Sequence, residues 1–184
     1  MALINLRPAL TAWLLMAGGN LTAAAPPGPV TGTSFGLEAG SPLRNGDSRQ
    51  QFSGTALHLS AGWQSGEQAW GFSTLAATTG NTTGHFRRHL GTGPWWRLQI
   101  TTDLTFHCSL LWFRQSRSLP DGHIYSRQRG WSPGAGLEKA WFAGERASVI
   151  LTGRTRIDFP EDQGPESAVP FLNRSLSLGL RILL

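Results

Sequence analysis

The connectors of this chain alternate in length. Segments with alternating apolar and polar residues are joined in turn by very short and rather long links. Short links fall at Ser65 to Glu67, Thr102 to Asp103 and Ala143 to Glu145. Long, polar links bearing Gly or Pro fall at about 41–53, 81–94, 116–128 and 160–172. The long set exceeds the commonest hairpin loop of about 2–5 residues. Antiparallel strands joined in that rhythm return to the same two ends, so one end is trimmed and the other elaborated. This is the pattern of an up-and-down transmembrane β-barrel with tight turns toward the periplasm and long loops toward the exterior.

A strand sends successive side chains to opposite faces, so the faces can be separated. In the last segment Leu176, Leu178, Leu180, Ile182 and Leu184 share one face, and Ser175, Ser177, Gly179 and Arg181 the other. Ala147, Val149, Leu151, Thr155 and Ile157 oppose Ser148, Thr152, Arg154, Arg156 and Asp158, with Ile150 an exception on the polar side. Trp131, Ala135, Leu137 and Trp141 oppose Gly134, Gly136 and Glu138. Lys139 falls on the apolar face near a strand end, where its amine reaches the interface. Leu104, Phe106, Cys108, Leu110 and Trp112 oppose Thr105, His107 and Ser109, and Trp96 and Leu98 oppose Arg97 and Gln99. Weaker alternation marks 56–63, 69–76 and 35–40. That makes about eight strands, an even number that leaves both termini on one side.

The first two dozen residues have the layout of a secretory signal: Arg7, then the apolar stretch Ala9 to Ala17, then small residues up to Ala25. The expected division is a signal peptide at 1–24 and a barrel at 25–184. Cys108 is the single cysteine, so neither an internal disulfide nor a cysteine zinc cluster is available. The formal charge of +5 falls by one without Arg7, and Lys139 is the only lysine. An exported chain lacking a lysine-rich run or a nucleic-acid motif implies no nucleic-acid partner. Anionic lipid headgroups are the nearer match.

A soluble periplasmic barrel of the lipocalin type shows similar alternation. Three features favour a membrane: strands of about 9 to 12 residues that match a tilted crossing, connectors sorted by side, and aromatics at strand ends. Trp63, Trp70 and Trp141 are expected toward the short turns, and Trp95, Trp96, Trp112, Trp131 and Phe159 toward the long loops. The pattern resembles the small eight-stranded bacterial outer-membrane β-barrels, the class that includes the OmpA transmembrane domain and OmpX. The resemblance is architectural and covers nearly the whole chain after the leader. It implies the cell outer membrane, with outer-membrane lipids and lipopolysaccharide, the barrel assembly machinery, and secretion or export components as partners. Barrels of that class usually end in an aromatic residue, whereas here the last residue is Leu184.

With the polar face inward, the lumen receives Glu38, Arg97, Glu138, Arg154, Arg156, Asp158 and Arg181, together with His58 and His107. Eight strands leave an interior filled by side chains, and charges there must pair. A structural network is therefore expected rather than a pore. The enzyme alternative rests on His58-Leu59-Ser60 and His107-Cys108-Ser109. These are similar to the His-x-Ser pair of outer-membrane lipases such as the lipid A deacylase PagL. Neither triplet continues with the usual Asn, and both face the lumen, so no catalytic residue is assigned. In the long links Arg44, Arg49, Arg87, Arg88, Arg117 and Arg127 are candidates for contact with lipopolysaccharide phosphates. Arg129 accompanies them in the third link, and Glu161, Asp162 and Glu166 make the fourth acidic. His85 and His89 do not form a metal motif, and no cofactor is implied.

Overall fold

The computed structural model describes residues 27–43, 51–143, 146–161 and 169–184. The expected signal peptide at 1–24 lies outside them. Eight antiparallel strands close into a barrel in chain order: β1 (Gly28–Pro42), β2 (Phe52–Ser65), β3 (Gln68–Gly80), β4 (Phe86–Gln99), β5 (Leu104–Ser118), β6 (Ile124–Ala143), β7 (Ala147–Pro160) and β8 (Phe171–Leu183). Closure leaves no open edge, which satisfies the backbone where water is absent. Followed once round, the register leads from Val30 through Gly62, Gly71, Trp95, Ser109, Gly134, Arg156 and Asn173 back to Gly40. Such a stagger tilts the strands and sets a barrel too narrow for an open channel.

Inside and outside follow the alternation. Phe35, Leu37, Leu57, Leu59, Phe72, Leu110, Leu176 and Leu178 are exposed on the outer surface, a distribution that only lipid suits. Ala56, Leu75, Ala77 and Leu111 pack together within the barrel, and Val30, Ala69, Trp95 and Leu183 close its turn end. Ile150, the exception on the polar face, is also buried.

The strands are longer than the alternation suggested, at 13 to 20 residues. The added length lies mainly at the long-link end, where two of the four links shrink to residues 81–85 and 119–123. Local chemistry closes both. Asn81 Oδ1 accepts from the N–H groups of Thr83 and His85 at 3.1 and 2.8 Å, and Gly84 takes φ +81°. Asp121 Oδ1 accepts from the His123 N–H at 2.8 Å beside Gly122 at φ +87°. At the opposite end Gly66, with φ +59°, opens the two-residue turn between β2 and β3, a conformation that favours glycine. Lys139 does not merely reach the interface. Its ammonium lies 3.2 Å from Asp103 in the β4–β5 turn.

The aromatic belts form with one correction. Trp63, Trp70 and Trp141 lie outward near the tight turns, and Trp112 stacks edge-on against Trp131 near the other end, centroids 5.0 Å apart. Trp95 and Trp96 were expected in that second belt. Because β4 begins at Phe86, they fall at its turn end, with Trp96 opposite Trp70 and Trp95 turned into the lumen. Pairing of β4 with β5 is interrupted between Thr92 and Trp95, where Pro94 has no N–H to donate.

Candidate functional site

All seven residues expected to form the luminal network face the interior, and they gather into two centres. Near the tight turns, Glu138 of β6 is met by Arg97 of β4 at 3.2 Å, Arg154 of β7 at 3.3 Å and Arg181 of β8. Arg97 also lies 4.3 Å over the Trp95 ring. Farther up, Arg156 joins Glu38 and Asp158: its terminal nitrogens donate to the Glu38 carboxylate at 3.1 and 3.3 Å, and its Nε to Asp158 at 3.1 Å. Asp158 also accepts from Ser132, and from Asn173 at 2.9 Å.

Arg87, expected in an outward link, belongs to this upper centre. It is 1% exposed, bonded to Asp158, Gln115 and Asn173, and stacked 4.1 Å over Phe171. Arg117 also faces inward, 5.7 Å over the same ring. Both are strand residues whose parity, once β4 and β5 are extended, directs them to the lumen. Among the described residues the interior therefore holds six arginines, at 87, 97, 117, 154, 156 and 181, against carboxylates at 38, 138 and 158. With Phe113, Ser132, Thr152 and Asp158 sealed from solvent, the interior is filled with side chains.

Both His-x-Ser triplets direct their polar side chains into the lumen. Ser60 Oγ donates to the Gly32 carbonyl and receives Arg97 Nη2, each at 3.4 Å. Among the described residues no hydrogen bond joins His58 to Ser60 or His107 to Ser109. Both serines lie inside the barrel, away from lipid.

The outer surface carries a different constellation. Arg88 of β4, Arg114 of β5 and Arg127 and Arg129 of β6 all project outward, with Arg114 directly opposite Arg129 and Ser116 opposite both Arg88 and Arg127. They border a shallow groove of about 400 Å³ that also contains Leu90. Two residues toward the turn end along β5 and β6 lies the Trp112–Trp131 pair. The outward positions of these three strands beyond that pair carry no carboxylate. Arg88, Arg114 and Arg127 make no ion pair among the described residues. Glu161 adjoins the cluster through its backbone N–H, which donates to the Arg129 carbonyl at 2.9 Å.

Arg88 and Arg127 were expected as surface contacts, though on loops rather than strands. Arg114 was missed because alternation was followed only to Trp112, and its parity with Trp112 was the available signal. Arg44, Arg49, Asp162 and Glu166 lie outside the described residues.

Closure of eight strands, a lipid-facing apolar band and two aromatic belts define a small outer-membrane β-barrel. No family model matches the sequence, and no curated protein matches it. The fold has solved counterparts. The Neisserial surface protein A (NspA) is 13% identical with a TM-score of 0.56, covering 85% of this chain and 97% of its own. Ail, the attachment invasion locus protein of Yersinia pestis, crystallised with the heparin analogue sucrose octasulfate, is 13% identical with a TM-score of 0.57, covering 84% of this chain and 99% of its own.

Proposed function

We propose that this outer-membrane barrel works through its outer face, holding the phosphate groups of outer-leaflet lipopolysaccharide against β4, β5 and β6. The observation that carries this reading is the set of outward guanidiniums at 88, 114, 127 and 129, immediately beyond the Trp112–Trp131 pair. Interfacial tryptophans sit at headgroup level. Residues just beyond them meet phosphates rather than acyl chains. Guanidinium is the side chain suited to paired hydrogen bonds with phosphate, and it keeps its charge at any physiological pH. Leu90 supplies an apolar wall at the same level, as an amphipathic ligand requires. The complex of Ail with a polysulfated sugar is a case of polyanion binding on the same fold, and the same class of ligand suits four clustered arginines here.

The test is lipid retention. The wild type and an R88Q/R114Q/R127Q variant are purified from lipopolysaccharide-bearing membranes in mild detergent, and bound lipopolysaccharide per barrel is counted by mass spectrometry. Arg174, which is exposed on β8 away from the groove, provides the control R174Q. The reading predicts a several-fold loss of bound lipid in the triple variant only. Equal retention in all three proteins would refute it, as would equal binding of lipid A stripped of its phosphates.

A further inference from the structure

We propose that the lumen binds a small monatomic anion of the halide class in the cavity between its two carboxylate centres. This inference is independent of the outward arginines. Three observations lead to it.

The first is charge. Among the described residues Glu138 alone stands against Arg97, Arg154 and Arg181, and the interior as a whole holds six guanidiniums for three carboxylates. Arginine does not release its proton in proteins, so this excess cannot be relieved by titration of the guanidiniums. A bilayer-enclosed interior makes uncompensated charge costly.

The second is unused donors. Arg97 Nη1, Arg154 Nε and Arg181 Nε are buried donors without a hydrogen-bond partner, although all three arginines pair with Glu138, and the buried ring nitrogen His107 Nδ1, a donor in its Nδ1–H tautomer, is unpartnered too. His107 is 4% exposed, and its Nδ1 lies 4.0 Å from the Glu138 carboxylate, too far for a hydrogen bond.

The third is space. A cavity of about 30 Å³ lies between the two centres, with His58, His107, Ser109, Arg154, Arg156 and Ser175 among the residues around it. A buried water needs about 10–15 Å³ by the same measure, so the cavity suits a halide with at most a water beside it. It is too small for an organic ligand. Glu38 also borders the cavity, but both its oxygens are taken by Arg156 at 3.1 and 3.3 Å, which reduces its repulsion of an anion. Arg154, through its unused Nε donor, and His107, through its unpartnered ring nitrogen, both belong to the cavity wall. They are the residues assigned to hold the anion.

The experiment uses the full barrel folded in detergent, with bromide as probe and gluconate, too large for the cavity, as the matched salt. The proposal predicts an anomalous bromide peak beside Arg154 and His107 in crystals. It also predicts a thermal midpoint that rises and saturates with bromide at constant ionic strength, and a loss of that rise in R154Q. No peak, a midpoint indifferent to the identity of the anion, or an undiminished rise in R154Q would overturn it. A peak without any bromide-dependent midpoint would mean an adventitious ion only, and would overturn it too. If R154Q does not fold, the wild-type crystal and bromide titration decide the matter.

Discussion

At the scale of single residues, the interior charges make demands that substitution exposes. Among the described residues Glu138 is the sole carboxylate approached by three guanidiniums. Removing one partner of a buried ionic group typically costs about 3–5 kcal/mol, because the remaining charge stays buried. Glu138→Ala should lose stability on that scale in urea titrations followed by the folded and unfolded gel bands. A loss under about 1 kcal/mol would mean that water already screens these arginines. Asp103 lies outside the membrane-spanning band. The Thr101 hydroxyl donates to it at 2.7 Å and the Lys139 ammonium lies at 3.2 Å, and together they hold its carboxyl below the usual range. A depressed carboxyl contributes stability above its unfolded pKa and loses it as pH falls through the folded value. Asp103→Asn should therefore flatten the stability profile below about pH 4, where ordinary aspartates titrate. Its effect is small because the carboxyl is only partly buried and solvent screens it. An unchanged acid slope would count against the contact.

At the scale of strands, lipid contact and its limits govern what is tolerated. Leu178 lies outward in the apolar band of β8, and arginine near the bilayer midplane costs about 2–4 kcal/mol against nearly nothing at the interfaces. Leu178→Arg should show that loss, while Ser116→Arg, beside the outward arginines, should fold as the wild type does. Equal stability of the two variants would contradict the placement of the band. The same physics explains which strands were legible in sequence. Within the membrane the two faces meet different solvents, so Leu176 to Leu184 sort cleanly from Ser175 to Arg181. Beyond it the contrast between the faces fades, with Arg88, Arg114 and Ser116 outward, and Phe86 to Pro94 and Ser116 to Ser118 read as links although they are strand. The turn chemistry of Asn81 to Gly84 and of Pro120 to Gly122 marked the true boundaries. Parity from Trp112 to Arg114 would then have revealed the outward cluster. The partners of the luminal arginines were not legible, because the barrel stagger decides which distant strands face each other.

At the scale of the whole molecule, the filled interior and the orientation of the barrel determine where function can reside. A lumen closed by Val30, Ala69 and Trp95 at one end, and by Arg87 stacked on Phe171 toward the other, should show no steady unit conductance in planar bilayers. Reproducible single-channel steps would contradict the packing. The outward arginines meet lipopolysaccharide only if the ends of the strands joined by residues 81–85 face the exterior. In a Cys108→Ser background, Thr82→Cys and Glu67→Cys place one thiol at each end of β3. Labelling with a membrane-impermeant maleimide on intact cells should modify Thr82→Cys at once, and Glu67→Cys only after lysis. Labelling of Glu67→Cys on intact cells, with Thr82→Cys protected, would invert the barrel and remove the arginine face from the outer leaflet.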